Sequence, residues 1–141
     1  MDKKGGILLT APASGSGKTA AACALMAALR DRGLKVRACK CGPDYIDPMF
    51  HREVLGIDSK NLDLFFSERA DLIREYERHT DGADITVTEG VMGYYDGMTL
   101  DSERASSYDV ARTLGLSVLL VLPCRGASLS LAAVVKGIAE F

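Results

Sequence analysis

The apolar positions of this chain fall in short unbroken runs, and each run is followed by a polar or glycine-rich segment and then a stretch of helix formers. Gly6 to Thr10 carries Ile7, Leu8 and Leu9 in succession, the pattern of a strand covered on both faces. Lys18 to Arg32 is built of strong helix formers, apolar nearly all round through Ala28 and Leu29, with Gly33 as a left-handed stop. That helix is expected to be largely buried. Val36 to Cys41 reads as a second strand. It runs into Gly42-Pro43-Asp44-Tyr45-Ile46-Asp47-Pro48, where one glycine and two prolines predict an irregular loop. A weakly patterned stretch follows. Ser67 to His79 then sets Ala70, Ile73 and Tyr76 to one side of charged neighbours, predicting a surface helix capped by Ser67. Ile85 to Glu89 is a third strand, Ser107 to Leu114 a short helix closed by Gly115, Ser117 to Leu122 a fourth, fully apolar strand, and Leu129 to Phe141 a last helix.

Strands that alternate with helices and lack hairpin turns define an α/β fold with a mainly parallel sheet and helices on both faces. In such sheets ligands gather beyond the carboxyl ends of the strands. All three unusual loops, Ala11 to Gly17, Cys41 to Pro48 and Gly90 to Gly97, follow strands. Their agreement predicts one composite site.

At 141 residues and 48% hydrophobic composition the chain makes one domain with a core. Its net charge of −2, with both signs interspersed, offers no basic stripe for nucleic acid. Met1-Asp2-Lys3-Lys4 precedes too short an apolar stretch for a secretory leader, and the run Val118 to Leu122 is too short to cross a bilayer. The expectation is a cytoplasmic protein without membrane contact. Cys23, Cys39, Cys41 and Cys124 lack the spacing of zinc or redox motifs and read as packing residues. His51 and His79 show no partnering pattern.

Pro12-Ala13-Ser14-Gly15-Ser16-Gly17-Lys18-Thr19 fits G-x-x-x-x-G-K-[ST] at every fixed position except the first, where proline replaces glycine. Between a strand and a helix, this segment predicts a phosphate cradle. Backbone N–H groups around Ser14, Gly15, Ser16 and Gly17 would hold the phosphates of ATP, Lys18 would add a point charge, and the Thr19 hydroxyl would hold Mg²⁺. Glu89, ending a strand, supplies the acid such a site needs. Ala13 stands where partition-type ATPases carry a second lysine, which argues against that group.

Lys40-Cys41-Gly42-Pro43-Asp44-Tyr45-Ile46-Asp47-Pro48 and Glu89-Gly90-Val91-Met92-Gly93-Tyr94-Tyr95-Asp96-Gly97 go further than a general phosphate loop. With it, they resemble the synthetase domain of the cobyrinic acid a,c-diamide synthase family. The resemblance implies a three-layer P-loop NTPase fold like that of dethiobiotin synthetase. It also implies ATP-dependent amidation of corrinoid carboxylates with ammonia from glutamine. Carried onto this sequence, Lys18 and Thr19 hold nucleotide and metal, and Asp44, Asp47 and Glu89 surround Mg²⁺ and the transferring phosphate. Asp96 lies toward the substrate, and Lys40 touches phosphate. The same residues leave alternatives open. Asp44, Asp47 and Asp96 also suit turns, and Tyr45, Tyr94 and Tyr95 suit either packing or a flat substrate surface. Related tetrapyrroles, hydrogenobyrinic acid or nickel sirohydrochlorin, would use the same chemistry, and a nucleotide-binding module without catalysis is a further reading. Family members continue with more sheet and a glutaminase domain, so residues 1–141 correspond to part of the synthetase domain, with a glutaminase domain or subunit as partner and self-association possible.

Overall fold

The computed structural model describes residues 5–141. The charged start Met1 to Lys4, used in the leader argument, lies outside them. In chain order the elements are β1 (Gly6–Thr10), α1 (Lys18–Asp31), β2 (Val36–Cys41), α2 (Ile46–Glu53), β3 (Ser59–Leu62), α3 (Arg69–Thr80), β4 (Ile85–Glu89), α4 (Ser107–Leu114), β5 (Ser117–Leu120) and α5 (Ser130–Glu140). The five strands form one parallel sheet in the order β3-β2-β4-β1-β5. Among the described residues no helix is long and apolar enough to cross a membrane.

Strand pleating sends alternate side chains to opposite faces and thereby builds two cores. Leu9, Val36, Ala38 and Val87 meet Ala22 and Met26 of α1 on one face. Leu8, Cys39 and Cys41 meet Leu72 of α3 and Val110 and Ala111 of α4 on the other. Cys39 and Cys41 therefore pack, as the sequence suggested. Burial pushes the Cys41 thiol up to about 12 and that of Cys39 higher still.

Five expectations are corrected. The loop predicted through Pro48 becomes helix from Ile46, because the Asp44 carboxylate accepts the backbone N–H groups of Ile46 and Asp47 at the helix start. Pro48 lies in the first turn, where its missing N–H has no carbonyl to lose. The weakly patterned stretch holds β3, an edge strand with polar Ser59, Lys60 and Asn61 and thus no apolar signature. Helix α3 starts after Glu68, not at a Ser67 cap, and turns Leu72 and Tyr76 inward while Ala70 and Ile73 face out. Only Lys18, Ala22 and Met26 of α1 are buried, a stripe at four-residue spacing, so the alanine-rich outer face is not covered. Finally, β5 ends at Leu120 and stands at the sheet edge, with Val118 and Leu119 exposed.

Helices α3 and α4 are joined by Asp109. Its carboxylate accepts from Arg69 (2.8 Å) and from the Ala105 N–H (3.0 Å), while the Ser106 hydroxyl caps α4 through the Asp109 N–H (3.1 Å). Burial alone would raise this carboxyl, but Arg69 and the Ala105 amide outweigh it and hold it below the usual range. A depressed folded-state pKa stabilises the protein above the unfolded value of about 3.9 and loses that contribution as pH falls through the folded value. Asp109→Asn is expected to lower stability by about 1 kcal/mol at neutral pH. Urea unfolding of parent and variant should converge below the ordinary carboxylate range, and a gap independent of pH would contradict the charge argument.

Candidate functional site

The pleat that builds the core also delivers the site. Lys40 continues the Val36 and Ala38 face of β2, and Glu89 continues the Ile85 and Val87 face of β4. Lys40 and Glu89 are register partners on adjacent strands, so both arrive on the α1 side at the carboxyl end of the sheet. There the Lys40 ammonium lies 3.0 Å from Glu89 Oε1, 2.9 Å from Asp47 Oδ2 and 3.8 Å from Asp44 Oδ2. Glu89 Oε1 also accepts the Thr19 hydroxyl from the first turn of α1. Thus Thr19, Lys40, Asp44, Asp47 and Glu89, distant in sequence, form one cluster. Asn61 holds the connecting loop by donating to the carbonyls of Gly42 and Asp44. That role could not be read from the sequence without knowing that β3 exists.

Burial would lower Lys40, but the carboxylates of Asp47 and Glu89 outweigh it and keep the ammonium above its usual pKa. For Glu89, burial pushes the carboxyl up against the opposing pull of Thr19 and Lys40. The resemblance placed Lys40 on phosphate. The structure instead encloses its ammonium with acids.

Beside this cluster the phosphate loop is open. Gly15 and Gly17 have φ of 73° and 93°, left-handed values that glycine adopts freely, and no atom lies within 4 Å of where a Cβ would stand. The start of α1 has no side-chain cap, in contrast to the Ser106 cap of α4, so its first amides remain available to an anion. Ser14 and Gly15 are exposed, and Ser16 donates to the Ala13 carbonyl at 2.7 Å, which shapes the loop. Pro12 at the first motif position leaves the cradle intact. Lys18 is buried and donates to the carbonyls of Met92 (2.8 Å) and Ala13 (3.3 Å). Burial and the Lys40 ammonium lower its pKa, with Glu89 and Asp96 opposing.

The loop after β4 is tied to the start of the phosphate loop by the Tyr94 N–H on the Ala11 carbonyl (2.9 Å) and to β1 by the Gly90 N–H on the Leu9 carbonyl (2.8 Å). A Cβ at Gly90 would come within 2.8 Å of that carbonyl, so glycine is required by close approach. Asp96 Oδ2 accepts the Gly93 N–H at 2.8 Å, which gives Asp96 a loop-shaping bond. Tyr94 and Tyr95 pack on one another and on Tyr108, and Tyr95 also on Phe141, whereas Tyr45 is exposed.

His51 was missed as a site residue. It is fully buried beneath the cluster, with Nδ1 2.9 Å from Ser59 Oγ and Nε2 4.0 Å from Glu89 Oε2. Its spacing of four from Asp47 would have put both on one helix face. That signal was hidden because the segment read as a loop.

A strand, a glycine-shaped anion loop, an uncapped helix start bearing lysine and threonine, and an acid on the adjacent strand define a P-loop nucleotide-binding domain. The CbiA family model, described as the CobQ/CobB/MinD/ParA nucleotide binding domain, matches residues 7–138. The chain belongs to that family. It is 46% identical over 135 residues to a cobyrinate a,c-diamide synthase of Gloeobacter violaceus, covering 96% of this chain and 30% of the relative. It is 42% identical over 136 residues to a protein of the same name in Listeria monocytogenes, covering 96% and 30%. It is also 46% identical over 138 residues to a hydrogenobyrinate a,c-diamide synthase of Brucella ovis, covering 96% and 31%. The chain thus spans about a third of the length of these curated relatives.

Lys40→Met removes the only cation within 4 Å of Glu89 Oε1 among the described residues. The expected loss is about 3 kcal/mol at neutral pH, since the buried carboxylates lose their counter-charge. Glu89 is already raised by burial, and without Lys40 its pKa rises further above the unfolded value, a penalty that disappears once the group is protonated. The loss measured by urea unfolding should therefore shrink as the pH falls and Glu89 takes up a proton, and a constant deficit would contradict this origin.

Proposed function

We propose that this domain binds ATP with Mg²⁺ and, within a longer protein, activates corrin carboxylates for amidation at the a and c positions. The observation that carries this reading is the cluster of Lys40, Asp44, Asp47 and Glu89 beside Thr19 and the open phosphate loop. A cradle alone would serve any nucleotide-binding module. A carboxylate attacking a polyphosphate brings two anions together, and the positive charge this needs would come from Lys18, Lys40 and a metal ion held by the acids beyond the strand ends.

The residues present fit Mg²⁺. Glu89 Oε1, Thr19 Oγ1 and the Asp47 carboxylate are hard oxygen donors brought into one cluster. Among the described residues no three of His, Cys, Asp and Glu converge to enclose an ion. Mg²⁺ needs no such cage, since it keeps several waters and uses one or two carboxylates with phosphate. When bound, the ion neutralises charge on the transferring phosphate. Thr19, Glu89 and Asp47 would hold it, while Lys18 exchanges its carbonyl partners for phosphate oxygens. The backbone of Ser14 to Gly17 orients the nucleotide. Lys40, already among the acids, carries the charge that can follow the phosphate.

For the acceptor, Tyr45, Ile46, Met49 and Phe50 are exposed apolar side chains at and beyond the start of α2, next to Asp44 and Asp47. An apolar surface beside carboxylates suits a flat macrocycle whose side-chain acid must reach the phosphate. Relatives named for cobyrinate and for hydrogenobyrinate are matched at the same 46% identity, which favours a corrin without selecting for its cobalt. Ammonia would come from glutamine through a glutaminase domain or subunit, and the acyl phosphate would be kept from water until it arrives. Asp96 faces toward Lys18 electrostatically, and its substrate role is part of this proposal.

Lys18→Ala is expected to abolish ATP binding in calorimetry while the fold persists, because the change deletes charge at a ligand-facing position. Retained affinity would refute the phosphate-loop assignment. In the full-length protein, Asp96→Asn should leave ATP affinity unchanged and reduce amidation, followed by mass spectrometry as replacement of carboxyl OH by NH₂. Parent-like turnover would reduce Asp96 to its bond with Gly93, which asparagine can preserve. If the full-length parent binds ATP yet amidates no corrin, the domain is a nucleotide-binding module serving another reaction.

A further inference from the structure

Glu89 is the acid on which the site turns, and its two oxygens are treated very differently. Oε1 accepts from Thr19 and Lys40. Oε2 is buried and has no hydrogen-bond partner among the described residues. One other orphan faces it: His51 Nε2, also buried and without a partner, 4.0 Å away. A histidine kept only for packing would be expected to satisfy both ring nitrogens or to leave one toward water, since an unmade buried hydrogen bond is costly. Here one ring nitrogen is fixed and the other is aimed at an acceptor.

The chemistry of the neighbours selects the tautomer. Ser59 Oγ, on β3, is 2.9 Å from Nδ1 and can donate to it. With Nδ1 accepting, the proton belongs on Nε2, which lies 4.0 Å from a carboxylate oxygen that can only accept. We propose that His51 is a positioning residue for Glu89: held by Ser59 in the Nε2–H tautomer, it takes Oε2 as its acceptor when the site closes by about an ångström toward hydrogen-bond distance. The carboxylate is then fixed with Oε1 toward Thr19 and the ion. Helix α2 makes this possible by carrying Asp47 and His51 four residues apart, one at the mouth of the cluster and one at its floor. The inference rests on the reading of Glu89 as a metal-side carboxylate. It adds a buried residue that never touches nucleotide, ion or acceptor.

Nitrogen-15 NMR of the parent protein tests the tautomer directly. His51 should show a protonated Nε2 and a bare Nδ1, and the reverse assignment overturns the proposal. Titration of Mg²⁺ at fixed ATP by calorimetry tests the positioning role. His51→Leu should raise the Mg²⁺ midpoint about tenfold, as loss of a group that orients a metal ligand does, and leave Mg²⁺-free ATP affinity unchanged. His51→Gln, which can present an amide N–H in place of Nε2–H, should restore most of the response. Equal effects of Leu and Gln, or no effect of Leu, would overturn the proposal while a Mg²⁺-responsive parent keeps the site reading intact. A parent whose ATP affinity ignores Mg²⁺ overturns the reading of Glu89 as a metal-side carboxylate and, with it, the positioning role that rests on it, whatever the tautomer.

Discussion

The ion pair between Lys40 and Glu89 organises this domain. It is a cross-strand pair in the middle of a parallel sheet, on the face that α1 covers, and both side chains are almost completely buried. A lysine and a glutamate in such a place are costly to desolvate unless each has charged partners and hydrogen bonds. The sequence provides them from three separate segments: Thr19 from the helix start, Asp47 from α2 and Asp44 from the loop before it. The order of the sheet is what permits this. Because β4 inserts between β2 and β1, the acid at its end stands between the lysine of β2 and the phosphate loop of β1.

Around that pair the site divides into a rigid part and an open part. The loop after β4 is held to β1 and to the start of the phosphate loop by backbone bonds from Gly90 and Tyr94, and α4 is capped by Ser106 and braced by Asp109. At the start of α1, by contrast, the amides have no cap and the glycines have empty space beside them. Uncapped amides are destabilising for a helix on its own. Here they stay available as donors to an anion. Lys18, resting on two carbonyls, is the matching charge, and those neutral acceptors are weaker partners than a phosphate oxygen.

Two of the residues with ambiguous sequence signals each act on two groups at once. Asp44 uses Oδ1 to begin α2 and leaves Oδ2 toward Lys40. Asp96 bonds the Gly93 amide and adds negative charge near Lys18. Turn chemistry and site chemistry are therefore not exclusive, because a carboxylate has two oxygens and a loop that must be shaped can present the second one.

The sequence by itself determined the parallel α/β fold, the strands at Gly6 to Thr10, Val36 to Cys41 and Ile85 to Glu89, the helix at Ser107 to Leu114, and the phosphate loop. Each of these depends on local physics: unbroken apolar runs, a glycine stop, or amides at a helix start. The long motifs around Asp44 and Asp96 also marked the remaining site loops. What the sequence left hidden depends on neighbours. Edge strand β3 is polar because one side of it is free, α2 begins because a carboxylate happens to reach its amides, and β5 is exposed although its residues are apolar. The enclosure of Lys40 by three acids and the approach of His51 to Glu89 were likewise decided only by tertiary structure. Register between β2 and β4, and the packing of α2 against β3, set those distances, and neither is written in the periodicity of any one segment.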